Sequence, residues 1–172
     1  MKKFLMIAAL AIFGFSTTTL SAQENNMKIG AFVSLPMGDW ADMYGFGAGA
    51  DFQYLFEVGE GFQVGPMASL MWYSGKTFKE EIPYFGTMEI EMEDAMFLPI
   101  GGTARYSMDA FFIGIDLGYG IGLAPSGNDG GLYFKPKVGY NFGNIGAVVS
   151  YSGVSLDGVT ASSVNLGVEF SL

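Results

Sequence analysis

Between Ala110 and Leu123 the chain alternates with a period of two. Phe111, Ile113, Ile115, Leu117, Tyr119 and Ile121 share one parity, and Phe112, Gly114, Asp116, Gly118, Gly120 and Gly122 the other. Side chains of a strand point to opposite faces in turn, so the segment predicts a strand with one continuous apolar face. Its second face carries glycine, one carboxylate and one aromatic ring. A soluble sheet buries its apolar face and wets its polar one. Here the polar face is almost without bulk, which suits the crowded inside of a small closed barrel whose apolar face looks out into an oily phase.

The alternation recurs along the chain. Met27 to Pro36 sets Met27, Ile29, Ala31, Val33 and Leu35 against Lys28, Gly30, Phe32 and Ser34, and Pro36-Met37-Gly38-Asp39 breaks it. After a loop through Trp40 and Tyr44, a second run sets Phe46, Ala48, Ala50, Phe52, Tyr54 and Phe56 against Gly47, Gly49, Asp51, Gln53 and Leu55. A Val58-Gly59-Glu60-Gly61 turn leads into Phe62, Val64, Pro66, Ala68, Leu70 and Trp72 on the apolar parity. The fourth run sets Met96, Leu98, Ile100, Gly102, Ala104 and Tyr106 against Phe97, Pro99, Gly101, Thr103 and Arg105. Following the opening stretch, the sixth sets Leu132, Phe134, Pro136, Val138, Tyr140 and Phe142 against Tyr133, Lys135, Lys137, Gly139 and Asn141. The seventh carries Ile145, Ala147, Val149 and Tyr151, and the eighth sets Val164, Leu166, Val168, Phe170 and Leu172 against Asn165, Gly167, Glu169 and Ser171. Eight strands of this kind predict an all-β fold, an eight-stranded antiparallel up-and-down transmembrane barrel.

The connections alternate as well. Those after strands two, four and six are short, and those after one, three, five and seven are longer and polar, the pattern of periplasmic turns and external loops. Both termini then lie on the periplasmic side. The longest connection, Ser74 to Asp94, is also the most charged; Met88, Ile90 and Met92 alternate with Glu89, Glu91 and Glu93, so the hairpin is expected to continue beyond the bilayer. Outward aromatics gather in two belts where rings would meet headgroups. Phe56, Phe62, Tyr106, Phe111, Tyr140, Phe142 and Phe170 fall toward the turn side, and Phe46, Trp72, Tyr119, Phe134 and Tyr151 toward the loop side. Pro66, Pro99 and Pro136 stand inside strands, and a closed barrel has no edge on which a missing N–H is harmless, so bulges or skipped ladder bonds are expected there.

The N-terminus changes which residues count. Lys2 and Lys3, the apolar stretch from Phe4 to Phe15 and the small-residue site Leu20-Ser21-Ala22 read as a cleaved secretory signal over 1–22, leaving 23–172 as the barrel. Without Lys2 and Lys3, six basic residues stand against seventeen acidic ones, a net charge of −11 that disfavours a nucleic-acid partner. The chain of 172 residues has no Cys and no His, so disulfides, thiolate metal sites and the commonest general base are absent. No cofactor or metal site is expected. The glycines of Gly45-Phe46-Gly47-Ala48-Gly49 recur every second residue, unlike a GxGxxG phosphate loop, and read as inward strand positions. Glu89, Glu91 and Glu93 read as a solvated face in preference to a divalent-cation site.

The inward parity collects Lys28, Asp51, Gln53, Arg105, Asp116, Lys135, Lys137, Asn141 and Glu169. In a space too narrow for bulk water these charges must pair, and a network that fills the lumen is expected in preference to an ion-conducting pore.

The first strand leading to Leu35-Pro36-Met37-Gly38-Asp39, Leu98-Pro99-Ile100-Gly101-Gly102 followed by Arg105-Tyr106, and the final alternating strand resemble the small outer-membrane barrels of Gram-negative bacteria, the OmpX-like and PorT-like group. The resemblance departs at the end, where such proteins finish on Phe or Trp and this one on Leu172, with Phe170 two positions earlier. It implies a monomeric barrel in outer-membrane lipid, inserted by the barrel assembly machinery. Barrel enzymes of that membrane depend on a catalytic His, so an enzyme is not expected. Three functions stay open: a structural or surface-interaction barrel whose external loops, chiefly 74–94, meet an extracellular partner; a narrow ion or small-solute channel; and, least favoured, a secreted lipocalin-like carrier, which would need apolar walls around a cavity.

Overall fold

The structure, a computed structural model, describes residues 26–82 and 86–172, with side chains outside 79–88. The expected signal at 1–22 lies outside these residues. The elements are β1 (Met27–Met37), α1 (Asp39–Met43), β2 (Tyr44–Tyr54), β3 (Phe56–Gly59), β4 (Phe62–Gly75), β5 (Thr77–Ile82), β6 (Gly86–Glu91), β7 (Ala95–Met108), β8 (Phe111–Ala124), β9 (Gly131–Phe142), β10 (Ile145–Ser155) and β11 (Thr160–Ser171). Neighbours pair antiparallel in the order β2-β1-β11-β10-β9-β8-β7-β4-β3, and β2 also pairs with β4, which closes the sheet. β2 and β3 form one wall strand, so the barrel has eight, and closure leaves its wall without an edge.

Facing follows the sequence pattern on every wall strand. The burial of Phe32 and Ser34, Gln53 and Leu55, Met67 and Ser69, Thr103 and Arg105, Phe112 and Asp116, Lys135 and Lys137, and Asn165 and Glu169 marks the inward parity. The exposed set includes Val33, Leu70, Ile100, Ile115, Val138, Val149 and Leu166. No described helix is long and apolar enough to cross a membrane. The apolar belt of a barrel resides on its strands instead.

Turn-side connections are the pairs Glu60-Gly61, Asp109-Ala110 and Gly143-Asn144. Each contains one residue with positive φ: Gly61 at 71°, Asp109 at 53° and Gly143 at 74°. Glycine enters that region freely, and aspartate is among the few others that tolerate it. The loop side is longer but uneven. The connection of β10 to β11 spans only 156–159, because both strands continue through Ser152-Gly153-Val154 and Ala161-Ser162-Ser163. The long polar loop expected after the seventh strand is thereby corrected. These small residues carry no alternation of bulk, so their strand character comes from cross-strand pairing. A second correction concerns Trp40 and Tyr44, expected in a loop. Trp40 belongs to α1, and Tyr44 starts β2 with its ring buried, a register shift between Tyr44 and Gly47 having turned it inward.

Each of the three prolines interrupts one ladder and leaves the register unchanged beyond it. Between β2/β3 and β4 the pairing lapses from Gln53↔Met67 to Phe56↔Val64, opposite Pro66. Between β4 and β7 it lapses from Ala68↔Ile100 to Met71↔Phe97, at Pro99, and between β9 and β10 from Ser150↔Lys137 to Gly153↔Phe134, at Pro136. The other ladder of each proline is intact: Pro66↔Gly102, Pro99↔Gly120 and Ile115↔Pro136 pair. Of the two expected devices, the chain uses skipped bonds at all three positions. The proline nitrogen faces the interrupted neighbour and has no hydrogen to give it.

Inward rings occupy the space in front of glycines. A Cβ at Gly49 would stand 2.7 Å from Phe32 Cε2, one at Gly167 2.8 Å from Phe32 Cβ, and one at Gly47 2.6 Å from Tyr73 Cδ1. Gly49→Ala is therefore expected to cost about 1–3 kcal/mol by overpacking, read from urea unfolding in lipid vesicles. Gly102→Ala, whose Cβ would point outward and meet only Gly65 O at 3.7 Å, should unfold like the parent.

Candidate functional site

The barrel interior brings the candidate charges together in one-to-one pairs. Arg105 on β7 meets Glu169 on β11 through two parallel hydrogen bonds, Nη1 to Oε1 at 2.8 Å and Nη2 to Oε2 at 2.7 Å. Lys135 donates to Asp51 Oδ2 at 2.6 Å, and Lys137 to Asp116 Oδ1 at 2.5 Å. The Lys137 ammonium also lies 3.4 Å from Thr103 Oγ1. Two of the cations rest on rings as well, Arg105 at 3.7 Å from the centroid of Phe112 and Lys135 at 3.9 Å from that of Phe32. Burial of a lone ion in such a space is prohibitive, and a bidentate guanidinium–carboxylate pair with a ring beneath it satisfies charge and shape together.

Three members of the predicted set are not in ion pairs. Lys28 stands at the turn-side end and donates to Ser171 Oγ at 2.7 Å, with no carboxylate partner in the pairs above. Gln53 is buried and its Oε1 has no protein donor. Asn141 is half-buried near the turn, close to Gly146.

Above the charges toward the loop side lies a layer of small polar groups outside the predicted set. Ser34 Oγ donates to Asn165 Oδ1 at 2.6 Å, and Asn165 Nδ2 donates to Ser150 Oγ at 3.2 Å and Ser152 Oγ at 3.0 Å. Ser163 Oγ joins Tyr73 OH at 2.8 Å and Ser152 Oγ at 3.0 Å. Above these, Trp40 of α1 inserts into the mouth. Its ring stacks on Tyr44 with centroids 4.1 Å apart and meets Tyr73 edge-on at 5.8 Å and Phe97 at 6.1 Å. Lys76 holds α1 there, donating from Nζ to Ala41 O at 2.6 Å and from its backbone N–H to Met43 O at 2.9 Å. The inward parity of Asn165 and Ser34 was readable from sequence. Nothing in the local pattern marked Trp40, because its inward position depends on the barrel mouth being closed beneath it.

Outside, the twelve belt candidates all occupy the outward parity. On the turn side Phe62 pairs with Tyr106, Phe111 with Tyr140, and Ile145 with both Phe142 and Phe170. On the loop side Phe46 meets Trp72 edge-on at 5.4 Å, and Phe134 lies 6.0 Å from Tyr151. Trp72 Nε1 donates to Asp94 Oδ2 at 3.1 Å, and Tyr119 OH to Asp129 O at 3.1 Å, so both carry their polar tips toward the loops.

Above the rim, β5 and β6 continue the β4–β7 hairpin as a separate two-stranded arm from Thr77↔Glu91 to Ile82↔Gly86. Phe78 and Ile90 are cross-strand partners on it, and both are exposed.

A closed eight-stranded wall, apolar outside and filled with paired charge inside, is the architecture of outer-membrane β-barrels. A solved structure agrees on the fold. The chain is similar to a barrel described as "De novo design of transmembrane beta-barrels", at a TM-score of 0.53 and 10% identity over 89% of this chain and 100% of that one. The Yersinia pestis outer membrane protein Ail, in a phospholipid bilayer nanodisc, matches at 0.49 and 16% identity over 83% and 97%. No protein-family model and no curated protein matches the sequence.

Proposed function

We propose that the protein is a monomeric, non-enzymatic barrel of the outer membrane, with both termini periplasmic. The barrel assembly machinery inserts it, and it works as a surface-interaction protein through its external loops. The observation that carries this reading is the contrast between interior and rim. Inside, the three ion pairs, the serine and asparagine layer and the Trp40 cluster fill the barrel. On the rim, the chain builds a two-stranded arm from β5 and β6 that presents Phe78 and Ile90 to solvent beside Glu91, Glu93 and Asp94. An apolar pair amid carboxylates suits an extended partner segment with basic residues. Headgroup contact falls to the two aromatic belts.

Protease shaving of intact cells tests the orientation. Cleavage within 77–91 is expected without permeabilisation, with the barrel fragment retained in the membrane and still migrating heat-modifiably. Cleavage only after permeabilisation would put the arm on the wrong side. The channel reading has its own test in planar bilayers, where purified protein is expected to give no steady conductance. Reproducible current whose ion selectivity changes in Lys135→Glu would favour a channel instead.

A further inference from the structure

In the turn-side half of the barrel Lys28, Phe32, Asp51, Gln53, Lys135 and Glu169 are among the residues around a cavity of about 20 Å³. Two acceptors there have no protein partner. One is Asp51 Oδ1, whose sister oxygen takes the Lys135 hydrogen bond; the other is Gln53 Oε1, on a side chain only 3% exposed. The two residues stand two apart on one face of β2, so their side chains are neighbours. Buried acceptors without donors are disfavoured, and the site must supply hydrogens to both.

Size and charge decide the occupant. A water needs roughly 10–15 Å³ of such space, so the volume admits one and no larger solute. A cation would share the cavity with the Lys28 and Lys135 ammonium groups, and an anion would face Asp51 and Glu169. A neutral molecule with two hydrogens and two lone pairs meets neither repulsion. Lys28 spends one hydrogen on Ser171 Oγ and has others to give.

We propose that this cavity is a dedicated site for a single water molecule that donates to Asp51 Oδ1 and Gln53 Oε1 and accepts from the Lys28 ammonium. Lys28 is half-buried at the turn-side end, so the water exchanges from that end. Phe32, Tyr133 and the Trp40 cluster close the other direction.

The test is a crystal structure at a resolution that shows ordered solvent, together with water-to-amide cross-relaxation measured on the Gln53 side chain in micelles. The expected result is one density peak about 2.6–3.2 Å from both acceptors, and a water cross-peak to the Gln53 amide protons. Gln53→Met keeps the length but removes the acceptor, and the peak should be lost. Three results would overturn the proposal. They are a direct Gln53–Asp51 hydrogen bond with no density between, a peak that gains anomalous signal when Rb+ replaces Na+, and no water cross-peak in the parent protein. The last needs no variant, so a Gln53→Met chain that failed to fold would still leave the question decided.

Discussion

Arg105→Met is expected to destabilise the barrel by about 3–5 kcal/mol, because it leaves the Glu169 carboxylate buried without its guanidinium. Both side chains are almost wholly enclosed, and both Glu169 oxygens accept from Arg105. Lys135 and Lys137 do not replace it, each being committed to another carboxylate, and Lys28, which lines the same cavity as Glu169, is hydrogen-bonded to Ser171 at the turn-side end. Urea unfolding in vesicles, followed by heat-modifiable gel migration, measures the loss. Adding Glu169→Gln to Arg105→Met should recover a large share of it, since the uncompensated charge is then gone. A double variant as unstable as the single would mean that stacking of the Arg105 guanidinium on Phe112, at 3.7 Å from the ring centroid, is the larger contribution.

Ile115→Arg is expected to cost about 2–4 kcal/mol, the range for a cation on the lipid face near the bilayer midplane. Ile115 lies at the middle of β8 between Ala104 and Pro136, with its side chain outward. Yields of heat-modifiable barrel should fall for Ile115→Arg and for Val138→Arg alike. Gly118→Arg probes the opposite face by crowding, since a Cβ there would collide with the backbone of Ile100 and come within 2.8 Å of Gly101 Cα. Normal folding of Ile115→Arg beside failure of Gly118→Arg would show that the outward face does not meet hydrocarbon.

Strand count and facing were legible because a closed two-sided wall imposes one rule on every strand: successive residues meet opposite phases in turn. Ile115 and Asp116 obey it as plainly in sequence as in the barrel. Legibility failed where the two faces stopped differing. Ser152-Gly153-Val154 and Ala161-Ser162-Ser163 are small throughout, so the alternation stops at Tyr151 and resumes only at Val164, and the serine and asparagine layer these segments help build went unmarked. Pro66, Pro99 and Pro136 were visible as ladder breaks in waiting. Which neighbour would lose its bond depended on which edge each nitrogen faces, a matter of register.

By itself the sequence determined the eight alternating strands, their inward and outward sets, and the presence inside of more cations than carboxylates. Those properties depend only on period and residue type. Tertiary structure decided the pairing: Arg105 with Glu169, Lys135 with Asp51 and Lys137 with Asp116 are joined across 64, 84 and 21 residues of chain. Closure of β1 on β11, which brings Lys28 to Ser171, fixes which strands stand opposite across the lumen. It also made the mouth into which Trp40 folds. A side chain can recognise a partner across a barrel only after the ladder has set the distance between them, and no local pattern encodes that distance.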